Sequence, residues 1–479
     1  MNPTLSRQIP AHNKRFSVLE RIRAWHPSKT LGMLLFFIAH VPLALLMMKS
    51  PMVSTAHALA TLLVGLWYAG ANAKPEYIAG MAAYVTGAET LWRMTRATVF
   101  WEFGKYALIA IFLVAIVRSG RLRGPMWTLL YFLLLLPSLV LPMTNVDFGE
   151  FRNQVSFNLS GPLTLAISVW FFTGLEFSQA QIQRIYAALI GPTIGVATIA
   201  IFDTLSANRI LFTNNSNFTT SGGFGPNQVS AALGLGALLA FLLSLDPRAT
   251  RGFKLLMRVL LFILAIQSAL TFSRGGLYAA GGAAIIAVFF VIRLPQTRFK
   301  IVGGIVVLML VTNLVLIPQL DDFTNGAFTR RFTNTKLTGR DKLIRADLQA
   351  WSENPLFGVG PGQAKAYRQD FRADTSAHTE FSRLVAEHGV FGLVAMLLLL
   401  LMALQHLKRA NPGPGKASTA AMISWSFFYM MTAAMRLAAP SFVFGLAAAN
   451  LIAEVNPAAE TPPQPTYEMM RNRVINGMR

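Results

Sequence analysis

Apolar runs close to the length of a bilayer recur along nearly the whole chain, for example at 31–48, 106–117, 127–141 and 385–404. A membrane-crossing helix needs about twenty predominantly apolar residues, so the pattern predicts about twelve to fourteen transmembrane helices. The expected fold class is therefore an all-α polytopic membrane protein. Two stretches break the series. The first thirty residues are polar and basic, with no short apolar core and no small-residue cleavage site. No secretory signal is expected to be removed, and the first helix itself serves as the insertion signal. The second break, 318–380, is a soluble-looking loop of roughly sixty residues, a size at which loops are usually functional.

Composition supports the membrane reading. Of 479 residues 54% are hydrophobic and only 13% charged, against about a quarter charged in ordinary globular domains. The net charge of +21 lies largely in short clusters: 7–29, then Arg118, Arg121 and Arg123, then Arg248, Arg251, Lys254 and Arg258, then Arg293, Arg298 and Lys300, and last Lys408, Arg409 and Lys416. Positive clusters on alternate connections mark the cytoplasmic side, so they read as topology and not as a nucleic-acid surface. The division that follows is a cytoplasmic tail (1–30), a helical membrane region (31–317), one large external loop (318–380), C-terminal membrane helices (381–453) and a cytoplasmic tail (454–479). The Asn-rich loop 206–225 falls on the external side as well. The absence of Cys excludes disulfides, thiolate nucleophiles and Cys-ligated metals.

Within the large loop, 340–351 reads as an amphipathic helix with Ile344, Leu348 and Trp351 on one face and Asp341 spaced to pair with Arg345. Asn354-Pro355 stops it, since the residue before Pro disfavours helix, and Gly358-Val359-Gly360-Pro361-Gly362 forces tight turns.

Candidate chemistry gathers on the external side. Arg274, in Thr271-Phe272-Ser273-Arg274-Gly275-Gly276, stands where one helix ends and the next begins. An arginine at that depth is costly unless it reaches water or a partner. Snorkelling to head groups is one reading; an anion site is the other, favoured because the residue defies the positive-inside trend. The two glycines permit a tight turn and close approach of backbone to a ligand. Arg209 and Arg340 lie on the same side and, together with Arg274, would clamp a diphosphate bidentately if they converge. His378 is the best candidate base, because histidine titrates near neutrality, and Glu380 is expected to be catalytic with it, with Arg383 close by in sequence. His40, His57 and His388 lie in apolar spans and read as packing residues, and Glu102 and Lys105 as a structural i, i+3 bridge. No D-x-D and no metal-ligand spacing occurs, so neither a metal nor another cofactor is expected.

The Ser273-Arg274-Gly275-Gly276 element resembles that of the O-antigen ligase and Wzy-type polymerase superfamily. So do the run from Asn354 through Gly362, Ala377-His378-x-Glu380-Phe381, Glu387-His388-Gly389-Val390-Phe391-Gly392, and the helix start Gly225-Pro226-Asn227-Gln228. The resemblance spans about 222 to 400, and the first two hundred residues agree only in being helical. It implies a GT-C-like fold in the bacterial inner membrane with a periplasmic active face. It also implies a metal-independent, inverting transfer of glycan from undecaprenyl diphosphate to an acceptor, either a second lipid-linked glycan or a lipid A core. By the same resemblance Arg274 falls on the phosphate-binding position and His378 on the loop histidine. A lipid-linked glycan flippase remains the alternative of another class, although no internal repeat favours it.

Overall fold

A computed structural model describes residues 29–122, 124–141, 147–246, 248–292, 298–334, 340–368 and 379–452. The N-terminal helices α1 (Lys29–Lys49), α2 (Pro51–Gly70) and α3 (Pro75–Met94) follow one another over short turns. Pro51 and Pro75 open α2 and α3, where the missing N–H would have no partner in any case. Next come α4 (Phe103–Arg118), the short α5 (Met126–Leu133), α6 (Phe148–Phe172) and α7 (Gln179–Ser206), then α8 (Pro226–Ser244), α9 (Arg251–Leu270) and α10 (Arg274–Val291). Helix α11 (Arg298–Val311) runs through a π-helical turn into α12 (Ile317–Phe323). Two loop helices, α13 (Ala327–Thr333) and α14 (Arg340–Glu353), precede α15 (Glu380–Arg409), α16 (Pro414–Thr432) and α17 (Ala439–Leu446). A minor exception to the all-α class is a parallel pair of three-residue strands, β1 (Glu176–Ser178) and β2 (Asn450–Ile452).

Among the described residues, nine helices are long and apolar enough to cross a membrane. Two spans expected from sequence are altered. In 127–141 the α-helix ends at Leu133 and a 3-10 turn follows at Pro137–Leu139. The run 437–453 holds only the eight residues of α17 before β2. Helix α17 is buried on all sides, with Phe442 edge-on to Phe172 at 5.7 Å and Gly445 set so tightly against Ser168 of α6 that a Cβ would overlap it. Apolarity alone does not separate a short helix buried by protein from one surrounded by lipid.

Charges inside the bundle are paired, as burial requires. Glu89 takes one bond from Arg93 at 2.7 Å and another from the Ala438 N–H at 2.7 Å. Lys105 bridges Glu102, the pairing expected from the i, i+3 spacing, and each lies 3.3 Å from Ser160 Oγ. Across α1, α2 and α3, the Tyr84 hydroxyl lies 3.1 Å from His40 Nε2 and 3.0 Å from His57 Nε2. Trp92 Nε1 donates to His57 Nδ1 at 2.8 Å, and His40 Nδ1 lies 2.8 Å from the Phe36 carbonyl. Tyr84→Phe breaks two of these links, and the protein in detergent is expected to lose about 1 kcal/mol per bond. An unchanged denaturant midpoint would show that the network does not hold these helices together.

The large loop is anchored to a broken helix. Helix α15, expected to run unbroken from 381 to 407, is interrupted at Gly389 (φ 59°, ψ −137°). Into the gap fits the 354–362 turn: the Val359 N–H donates to the Ala386 carbonyl at 2.9 Å and the Gly360 N–H to that of Glu387 at 3.0 Å. In return the Val390 N–H donates to the Pro355 carbonyl at 2.9 Å, and Phe357 stacks on Phe391 at 5.5 Å. The turn thus satisfies carbonyls that a helix break leaves without partners.

Helix α14 ends at Glu353, directly before Asn354-Pro355, as expected, but its buried face differs. Leu343, Ala346, Asp347 and Ala350 are buried, while Leu348 is 45% exposed. Asp347 decides the orientation, because its carboxylate accepts from Arg368 Nε at 2.7 Å and from Ser382 Oγ at 2.5 Å. Asp341 and Arg345 do not pair among the ion pairs of the described residues.

Candidate functional site

The turn between α9 and α10 is made by Phe272, at φ 57°, and not by the glycines after it. Gly275 and Gly276 lie in the first turn of α10, and Gly276 serves packing, since a Cβ there would overlap the Ser230 backbone of α8. Ser273 occupies the N-cap, yet its hydroxyl donates to Asn227 Oδ1 at 2.7 Å, so no side chain caps α10. Arg274 follows as the first residue of the helix. The positive end of an 18-residue helix and a guanidinium therefore coincide.

Two further arginines stand near it. Arg331 of α13 is buried and donates to backbone carbonyls, through Nε to Phe272 at 2.9 Å and through Nη1 to Asn214 at 2.6 Å. Arg274 Nη1 donates to the Asn334 carbonyl just beyond α13. Arg340 opens α14. Burial first, then the charges of Arg274 and Arg340, lower the Arg331 pKa; burial and then Arg274 lower that of Arg340. The three guanidiniums are thus within electrostatic reach of one another. Nothing in the sequence distinguishes Arg331 from Arg330 beside it; the packing of α13 against the 271–274 turn makes the difference. Arg209 is exposed in the loop after α7, and among the described residues no side-chain bond joins it to this group.

Gly275 faces Thr432, and beyond Thr432 two cavities share Arg436 as a wall. The smaller, about 200 Å³, touches Asn227, Gln228 and Thr432. The larger, about 760 Å³, lies between the start of α6 and residues Arg368, Arg383 and Glu387. The apolar run in this helix starts only at 162, whereas the helix begins at Phe148, so apolarity does not mark its start. The available signal was Asp147 as an N-cap, accepting from the Glu150 N–H at 3.0 Å, followed by polar positions 150, 154 and 158 at helical spacing.

Glu380 is fully buried. Its carboxylate accepts from Arg383 Nε at 3.1 Å and from the Met435 N–H at 3.0 Å, clamping α15 to the segment that carries Arg436. Arg383 also bonds Glu387 at 2.8 Å. His378 lies outside the described residues. His388 is buried with Nδ1 2.6 Å from Ser138 Oγ. Among the described residues no three His, Cys, Asp or Glu side chains group as a metal site.

The fold and site define a multi-pass α-helical membrane protein whose polar groups meet where several helices end. Residues 259–397 match the Wzy_C family model, described as O-Antigen ligase. Over that stretch, less than a third of its length, the chain is similar to the O-antigen ligase family. The matched stretch takes in Arg274, Arg331, Arg340, Glu380 and the Gly389 junction, but neither Arg209 nor α6. No curated protein matches the chain.

Proposed function

We propose that the protein transfers a glycan from undecaprenyl diphosphate to an acceptor sugar hydroxyl at the periplasmic face of the bacterial inner membrane, with inversion and without a metal. The observation that carries this reading is the crossing of Arg274, bonded to the Asn334 carbonyl after α13, and Arg331 of α13, bonded to the Phe272 carbonyl, at the uncapped start of α10, with Arg340 near enough to feel the Arg274 charge. Like charges held together in a partly buried site cost stability, and a bound diphosphate offsets that cost. The acceptor oxygen attacks the anomeric carbon, the bond to the diphosphate oxygen breaks, and the hydroxyl proton passes to His378. The leaving group is a weak base, so cations serve it better than a general acid. Glu380 acts by holding Arg383 and Met435 in place. Arg209, exposed in the loop after α7, is a further diphosphate contact.

Polymerisation on the lipid carrier is the first reading, and attachment of finished chains to a lipid A core the second. Both use the same donor chemistry. The test is transfer by purified protein in detergent, with an undecaprenyl-diphosphate oligosaccharide as sole donor and EDTA present. Longer lipid-linked chains identify a polymerase, and glycan on the core identifies a ligase. Absence of product with either acceptor, from protein that still binds the donor, overturns the proposal. Loss of activity in EDTA alone overturns metal independence.

A further inference from the structure

The 760 Å³ cavity differs in chemistry from the Arg274 site, from which it is reached past Arg436 and the smaller cavity that Thr432 lines. Three of the four cations on its wall already have carboxylate partners: Lys365 bonds Glu150 at 2.9 Å, Arg368 bonds Asp347, and Arg383 bonds Glu380 and Glu387; the fourth, Arg436, stands on the side shared with the smaller cavity. The start of α6 is closed to anions too, because the Asp147 carboxylate occupies the helix end and Glu150 follows one turn later. At α10 the reverse holds, with the end uncapped and an arginine beside it. An anionic ligand therefore gains far less in this cavity than beside Arg274.

What the cavity offers instead is planar polar groups and a ring. Gln154 bonds Glu150 at 2.6 Å and Gln363 at 2.5 Å, Asn158 bonds Arg383 at 3.4 Å, and these contacts hold the amide planes in fixed positions. Asn153 and the half-buried ring of Phe157 lie one helical turn apart on the same wall. Amides and carboxylates bind vicinal hydroxyls in pairs, while an aromatic face covers the apolar C–H side of a pyranose. The volume lies within the range of small-molecule sites.

Resting on the glycan-transfer reading above, we infer that this cavity binds the acceptor's terminal sugar, and that this sugar is a neutral hexose or N-acetylhexosamine and not a uronic acid. Arg436 is then the wall across which acceptor and donor meet, and Arg93 fixes that wall by bonding Gln228 at 2.7 Å and the Arg436 carbonyl at 3.1 Å.

The experiment is saturation-transfer NMR on the purified full chain in detergent. The probes are the methyl glycosides of glucose, N-acetylglucosamine and glucuronic acid, with inorganic diphosphate titrated separately. At least one neutral glycoside is expected to bind, with glucuronoside signal weaker. Phe157→Ala is expected to lower the neutral signal about tenfold, the effect of one lost stacking contact, and Asn153→Ala to lower it less. Diphosphate binding should be unchanged in both variants and lost in Arg274→Ala. Preference for the glucuronoside, equal sugar binding in Phe157→Ala and the unmodified protein, or loss of diphosphate binding in Phe157→Ala would each overturn the inference. Retained diphosphate binding in Arg274→Ala would instead remove the donor reading and leave the sugar site standing.

Discussion

Arg274→Ala is expected to cut glycan transfer about a thousandfold, the scale set by removing one preorganised cation or donor from a developing anion. Stability should move the other way, or hardly at all. Arg274 raises the electrostatic cost of both Arg331 and Arg340, so its removal relieves two buried like-charge interactions. The lost bond to the Asn334 carbonyl offsets part of that gain. A merely structural arginine would behave differently, with activity and unfolding midpoint falling together. Arg274→Lys should fall between, because an ammonium keeps the charge but not the planar fork. Full transfer in a folded, membrane-inserted Arg274→Ala protein would end the assignment of diphosphate to this site.

Gly389→Ala should be among the most damaging small substitutions in the molecule. With φ 59° and ψ −137°, the residue occupies a region essentially reserved for glycine, and an added Cβ would lie 2.5 Å from the Leu356 carbonyl oxygen. The conflict is between two backbones, so no side chain can rotate to relieve it. The expected cost is on the order of 3–5 kcal/mol, and it falls on the docking of the 354–362 turn. Proteolysis of the intact protein in detergent should then cut within the large loop well before the bundle unfolds, and transfer should fail. Gly358→Ala opposes the same contact from the other side and should behave alike. If Gly389→Ala kept its unfolding midpoint and resisted the protease, the loop would not depend on the helix break.

These two substitutions also show what was legible in the chain. The membrane class, the end of α14 at Asn354-Pro355 and the Glu102–Lys105 bridge follow from local rules that depend on near neighbours in sequence. The candidate cations were visible as residue types, but their grouping is a tertiary property. Arg331 joins Arg274 because α13 packs under the 271–274 turn, while Arg209, the weaker candidate in sequence, stays in an exposed loop. Two motifs read separately, 354–362 and 387–392, are the two sides of one junction, and only the hydrogen bonds across it explain why both are rich in glycine. The polar start of α6 was overlooked because a search for apolar runs passes over a helix whose exposed turns line a cavity.

The His57–Tyr84–His40 chain has a direction. The Phe36 carbonyl can only accept, so His40 carries its proton on Nδ1 and presents a bare Nε2 to Tyr84. The Trp92 indole can only donate, so His57 is bare at Nδ1 and carries its proton on Nε2. Tyr84 then receives from His57 and gives to His40, and every proton from Trp92 to Phe36 has one place. A further proton on His40 would set an N–H against the Tyr84 O–H and force the hydroxyl to turn away from its acceptor. Three helices are thereby locked by a one-way relay whose only neutral arrangement is complete. The N-terminal end of the bundle is thus held by directed side-chain bonds as well as by packing.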